Sequence, residues 1–405
     1  MLTAEQALQN KIRVQQEALN AVFDNMGVGC FEGATGTGKT KVALDFIETV
    51  RRIILTAEQR EVIGLLVVPT EELRDSDWPE EAAKWNVSLE GVKCICYNSL
   101  SKQQLYKYDF IIYDECHRIT TPNLRLLEGV LTAVKRPYIL GLTATKPEVE
   151  YPDDTERVFL LNSLLPTVYR VTVDEAVDLG LVADFEISVL YHVLDSVNKN
   201  IKAGTAKNPF YQTEAAAYSF RTKSIQKATI LAKNDPKQEK LKMIQISKRA
   251  QFLYNLPSKF RLAKECFNKL QTQGRLVVFC GSINFANNLS LNVYHSESSD
   301  EYLKKFQNSE IDHLVTVKAL NEGKNLTDPD IGLITQVSSI PRDIVQRIGR
   351  LIRIRYNQMD FKARIVIIVT KDTADEKWFN QAIKHFDTKR IKLFSVNVPP
   401  LKVIL

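Results

Sequence analysis

Short apolar runs alternating with helical patterns constrain this chain more than any other feature. The clearest runs are 64–68, 110–113, 138–141, 275–280, 313–317, 331–335 and 364–369. Helical periodicity fills the intervals, as in 40–51, 70–85, 258–271 and 342–353. Buried β-runs that alternate with helices imply parallel sheets covered on both faces, an α/β architecture. Two such series are present, giving an expected division into residues 1–168 and 169–405. The second begins near Phe185 and resumes at Ser258. Between them, about 197–255 is rich in Lys, Gln and Ala with no β-run, and reads as a helical insertion punctuated by Gly204, Pro209 and Pro236.

Charge singles out the same insertion. The whole chain of 405 residues carries a formal charge of +6. The segment 197–255 holds twelve basic residues against three acidic ones, a net of +9, so the remainder is slightly acidic. A basic middle between near-neutral flanks suits a polyanion, although a charge run alone reads equally well as a solvated helical face. Lys223, Lys227, Lys233 and Lys237 are the expected contacts. Tyr211, Tyr218 and Phe220 lie among them, either to stack on bases or to dock the insertion on its own domain. Apolar residues at 44 % and charged residues at 25 % exclude a disordered or collagen-like chain. The longest apolar stretches, 63–68 and 365–369, fall far short of the ~18 residues of a membrane span. No apolar signal segment opens the sequence, and the six cysteines are scattered, so a reducing cytoplasm is expected.

Gly33-Ala34-Thr35-Gly36-Thr37-Gly38-Lys39-Thr40 fits GxxxxGK[ST] and stands between an apolar run and a helical pattern. Glycines let the backbone curl so that its N–H groups face phosphate, and the following helix N-terminus adds positive potential. Lys39 is placed to neutralise β- and γ-phosphates, and the Thr40 hydroxyl to ligate Mg²⁺. Further on, the apolar run 110–113 ends in Asp114-Glu115-Cys116-His117. Adjacent carboxylates at a strand's carboxyl end sit where such sheets bind ligands. Asp114 suits the metal, and Glu115 suits a base that orients and deprotonates the attacking water. His117 has no Cys or His at ligand spacing, so a polar coupling role is expected rather than zinc binding.

A phosphate loop alone fits a kinase, a GTPase or a transporter. In the second half, Gln346-Arg347-Ile348-Gly349-Arg350-Leu351-Ile352-Arg353 follows Pro341, a helix-starting residue. Gln346, Arg350 and Arg353 stand at i, i+4 and i+7, on one helical face. Guanidiniums presented together suit a transferring phosphoryl group.

With these segments in order, the chain resembles the superfamily 2 helicases. Arg13-Val14-Gln15-Gln16 is similar to the adenine-reading glutamine motif, with Gln15 as its reader. Pro69-Thr70 with Glu72-Leu73 resembles motif Ia, which contacts the nucleic-acid backbone. Asp114–His117 resembles a DExH box, and Thr143-Ala144-Thr145 resembles motif III, which links hydrolysis to strand movement. Val278-Phe279-Cys280 resembles motif IV. The segment 319–325, containing Gly323, resembles motif V, and Gln346–Arg353 resembles motif VI. The resemblance implies two RecA-like lobes without a sizeable accessory domain, ATP and Mg²⁺ as cofactors, and a nucleic-acid track, DNA before RNA. It also implies that Arg350 and Arg353 meet the γ-phosphate. DECH in motif II and Gln346 in place of His set the chain apart from DEAD-box RNA helicases. Asn325 replaces a frequent Asp, and Val14 replaces a frequent aromatic. The rival readings are a duplex translocase that never separates strands, the motor part of a restriction-type complex, an RNA helicase, and a non-motor phosphate-loop binding protein.

Overall fold

The computed structural model describes residues 2–133, 135–149, 154–235, 238–317, 326–384 and 386–394. Contacts divide the chain into two units. The first holds 1–183 with 353–361, and the second holds 184–352 with 362–405.

The first unit runs α1 (Ala4–Asp24), β1 (Val28–Gly33), α2 (Lys39–Glu58), β2 (Gly64–Val68), α3 (Trp78–Lys84), β3 (Val92–Cys96), β4 (Phe110–Asp114), α4 (Thr121–Leu131), β5 (Tyr138–Thr143), α5 (Thr155–Leu164), β6 (Thr167–Val171) and α6 (Val173–Asp178). Its strands form one parallel sheet in the order β3-β2-β4-β5-β1-β6. Strands β1, β2 and β4 are buried almost throughout, because helices cover both faces of a parallel sheet. The expected division at 168 cuts through β6. That strand carries a half-polar edge pattern rather than an apolar run, yet it hydrogen-bonds along β1 from Cys30 to Gly33. The first unit therefore extends to Ala183.

The second unit runs β7 (Asp184–His192), β8 (Ile201–Gly204), β9 (Pro209–Gln212), α7 (Glu214–Asn234), α8 (Glu239–Tyr254), α9 (Pro257–Leu270), β10 (Leu276–Cys280), α10 (Ile283–Leu289), β11 (Val293–His295), α11 (Glu301–Gln307), β12 (His313–Val317), β13 (Ile331–Ile334), α12 (Pro341–Leu351), β14 (Lys362–Thr370), α13 (Ala374–Ile383) and β15 (Ile391–Phe394). Its parallel sheet has the order β11-β12-β10-β13-β14-β7-β15. The insertion is not purely helical as expected. It opens with the antiparallel hairpin β8–β9, whose turn leaves from Gly204 at a φ of 87°. Each strand is four residues long and largely exposed, too short to register as an apolar run. Helices α7 and α8 then pack on each other as an arm. No helix among the described residues is long and apolar enough to cross a membrane.

A buried polar cluster fixes the base of the arm. The fully buried Glu214 accepts from Ser258 N and Asp195 N (both 2.9 Å) and from Ser258 Oγ (2.6 Å). The Tyr218 hydroxyl accepts from Ala374 N at 2.8 Å. The arm thus caps the N-termini of both α9 and α13. His192 Nε2 lies 2.8 Å from Ser258 Oγ in the same cluster. Burial, aided by the Lys259 charge, pushes its pKa down to about 3. The native state keeps His192 neutral, whereas the unfolded chain binds its proton below about pH 6.5. Stability is therefore lost as pH falls from about 6.5 towards the folded pKa, by about 2 kcal/mol from this group at pH 5. Thermal melts between pH 7.5 and 5 should show a shallower pH dependence for His192→Gln than for the wild type. An identical dependence would refute the assignment.

Candidate functional site

The carboxyl ends of β4, β5 and β1 adjoin in the first sheet and carry Asp114, Thr143 and the phosphate loop. Gly36 (φ 95°) and Gly38 (φ 87°) take the left-handed conformation that lets the loop curl. At Gly38 that backbone conformation strains any side chain, and a Cβ there, 2.0 Å from Gln15 Nε2, would also displace the end of that glutamine. Thr37 closes the turn through its hydroxyl, which donates to Ala34 O at 2.8 Å. Helix α2 starts at Lys39 with no side-chain cap, leaving its first N–H groups for a ligand. Lys39 Nζ donates to Gly33 O at 2.9 Å. Burial pushes the Lys39 pKa down, and the Glu115 and Asp114 carboxylates oppose that shift. Gln15 Nε2 donates to Thr37 O at 3.3 Å, so this glutamine buttresses the loop, while the neighbouring Val14 is a core residue of α1.

Asp114 and Glu115 part company immediately after β4. Asp114 Oδ2 accepts from the indole Nε1 of buried Trp78 at 3.0 Å, and its carbonyl accepts from the Tyr97 hydroxyl at 2.7 Å. Burial and the Glu115 charge raise the Asp114 pKa. Glu115 sits in the left-handed region (φ 53°), a strain characteristic of functional turns. Burial pushes its carboxyl up, but the His117 hydrogen bond and the Lys39 charge outweigh it and hold Glu115 below the usual range. His117 Nδ1 lies 3.2 Å from Glu115 Oε2 and 2.9 Å from Thr143 Oγ1. Thr143 Oγ1 donates to Thr145 O (3.1 Å) and accepts from Thr145 N (3.3 Å). These contacts are satisfied together when His117 carries its proton on Nδ1. Arg157 of α5 pins the turn by donating to His117 O at 2.9 Å.

The donor set fits a magnesium–nucleoside triphosphate. Thr40 and Asp114 would supply hard oxygens of the kind magnesium takes. Lys39 and the α2 N–H groups supply the phosphate cradle.

The remaining expectations divide. Pro69 and Thr70 are half-buried just past β2, with Thr70 Oγ1 accepting from Leu73 N at 3.3 Å. Gly323, with the rest of 319–325, lies outside the described residues, as does Lys237. Lys223, Lys227 and Lys233 are exposed on α7. Tyr211 and Phe220 are exposed (59 % and 66 %), whereas Tyr218 docks the arm base beneath the Arg249 guanidinium. Gln346 and Arg350 lie on α12, Arg350 nearly buried. Arg353 does not continue their helical face. The helix stops at Leu351 with Ile352 as its cap, and Arg353 is extended in an antiparallel bridge to Val182. That bridge belongs to the first unit, where Val182 Cγ1 approaches Gly36 closely enough to meet a Cβ there at 3.0 Å. Sequence reasoning missed Trp78, Tyr97, Arg157 and the fully buried Arg347, which donates to Gln336 O at 3.0 Å.

Residues 258–355 match the family described as the helicase conserved C-terminal domain. Residues 81–148 match the type III restriction enzyme res subunit. These matches support a superfamily 2 helicase. It is 22 % identical, over 98 % of its length, to a putative DNA 3′-5′ helicase Rad25 of Haloarcula marismortui, and spans 59 % of that relative. Two solved structures share the helicase fold. A type ISP restriction-modification enzyme, LlaBIII bound to DNA, gives a TM-score of 0.56 at 15 % identity, over 95 % of this chain and 31 % of that one. Dbp5 of S. cerevisiae, bound to RNA and ADP BeF3, gives 0.55 at 13 % identity, over 98 % and 94 %. Both parallel sheets match the RecA-like lobes of helicases in fold.

Proposed function

We propose that the chain is a DExH-type, ATP-hydrolysing motor that moves on nucleic acid, with DNA as its track. The observation that carries this reading is the convergence of Lys39, Asp114, Glu115, His117 and Thr143 at neighbouring strand ends. Lys39 and the α2 N–H groups bind the phosphates, and Gln15 steadies the loop beside the base. Thr40 and Asp114 hold magnesium, which when bound neutralises charge on the phosphates. Glu115, kept anionic by His117 and Lys39, orients the attacking water and accepts its proton. His117 and Thr143 share that carboxylate's hydrogen bonds, so a change in its charge is felt at Thr145. Arg350, Arg353 and Gln346 are assigned to the γ-phosphate, Gly323 to the same nucleotide, and Pro69 and Thr70 to the track.

DNA is favoured because the relative matched along 98 % of this chain bears the name of a putative DNA helicase. ATP turnover measured with single-stranded, duplex and branched DNA and with RNA tests this. Stimulation by DNA is expected, and stimulation by RNA alone would overturn the choice of track. The match to a restriction res subunit favours a second reading, a duplex translocase without strand separation. Release of a labelled strand from a simple duplex decides for the helicase, and triplex displacement without such release decides for the translocase.

The arm supplies grip in this reading. Each phosphate contact steepens the salt dependence of binding by roughly 0.9 on duplex or 0.7 on single strands. Replacing Lys223, Lys227 and Lys233 with Gln should flatten the slope by about 2–3 and weaken binding to every sequence. Nucleotide affinity should be unchanged. An unaltered slope would make the arm a solvated face.

A further inference from the structure

Trp78 makes two hydrogen bonds in different directions. Its backbone N–H donates to Leu73 O, closing a π-helical turn over Leu73–Asp77. Its indole N–H donates to Asp114 Oδ2 at 3.0 Å. The ring is buried at 2 % exposure, so its direction is fixed by packing. Two links thus join the backbone just past Pro69–Thr70 to the carboxylate assigned to magnesium. Both links lie within the first unit.

The turn between them is wound as π-helix, and the same residues have an α-helical alternative. A π-turn holds one residue more than an α-turn, and such turns concentrate at functional sites. Rewinding it as α-helix would rotate everything beyond by about 100°. The indole cannot face Asp114 in both windings. The turn also carries an exchangeable charge pair. Arg74 Nε and Nη2 each donate to Asp75 at 2.7 Å, both residues lie inside the turn, and the Asp75 side chain is 60 % exposed. An exposed pair of this kind is weak, and a phosphate takes the same bidentate fork. A backbone phosphate near Thr70 would therefore exchange with Asp75 on Arg74 and change the balance between windings.

We propose that Trp78 is a positioning residue through which the Leu73–Asp77 turn transmits polyanion binding at Pro69–Arg74 to the orientation of Asp114. This rests on the motor reading, in which that segment contacts the track. The coupling is reciprocal, so it is measured as binding.

The test uses the full chain, with Mg·ADP affinity determined with and without a single-stranded oligonucleotide. In the wild type the two affinities should differ by about fivefold or more. In Trp78→Phe, which keeps the ring but removes the N–H donor, the ratio should collapse towards one. Metal-free ADP affinity should be unchanged. A second measurement leaves Trp78 in place. With Trp85→Phe and Trp378→Phe it becomes the sole tryptophan, and its emission should shift on adding Mg·ADP and, separately, on adding oligonucleotide. An undiminished ratio in Trp78→Phe overturns the proposal, as does emission that ignores the oligonucleotide. If Trp78→Phe does not fold, the emission of the sole-tryptophan protein decides. A wild type that does not bind the oligonucleotide overturns the motor reading itself, and this inference with it.

Discussion

Lys39→Ala should reduce ATP turnover by at least ~10²–10³ while leaving the fold intact, since one charged donor at the transferring phosphate is worth that much. Lys39 is half-buried with its Nζ on Gly33 O and is not one of the buried core side chains, so its removal opens no core cavity. It also removes the cation that opposes Asp114 and Glu115, which weakens nucleotide binding as well as turnover. Glu115→Gln should behave differently. The amide keeps the shape beside His117 and Thr143 but cannot accept the water's proton, so nucleotide is retained and hydrolysis drops by ~10²–10⁴. Single-turnover hydrolysis, with nucleotide binding measured separately, checks both variants. Near-normal turnover in either refutes the assigned chemistry.

Arg350→Ala and Arg353→Ala should each cut the turnover of bound enzyme far more than nucleotide affinity, by ~10³–10⁵ for a true arginine finger. Arg350 is nearly buried on α12, so a thermal melt must accompany its kinetics. Arg353 stands outside that helix, in a bridge to Val182 beside Gly36, and its removal should leave α12 unaffected. A loss of affinity without loss of rate would make either residue a ground-state ligand.

The phosphate loop was legible because its chemistry is local. Two positive-φ glycines, an uncapped helix start and a lysine within one contiguous segment form the proposed cradle without help from elsewhere. The Asp114-Glu115 pair was legible for the same reason, as an apolar run ending in carboxylates. The buried strands 64–68, 110–113 and 313–317 showed as apolar runs because both faces of a parallel sheet are covered. Strand β6 and the hairpin β8–β9 did not, since edge and exposed strands bury too little to mark themselves.

Sequence alone therefore determined the α/β class, the two series of elements and the contiguous segment proposed as the nucleotide cradle. Each is written in periodicity or in one contiguous motif. Only the tertiary structure decided the end of the first unit, the exit of Arg353 from its helical face and the split between docked Tyr218 and exposed Tyr211 and Phe220. It alone brought Trp78 to Asp114 and Arg157 to His117, across 36 and 40 positions. Hydrogen bonds between distant segments leave no periodic trace, because the pairing belongs to the sheet order that adjoins β2, β4 and β5 and not to either partner's neighbours in the chain.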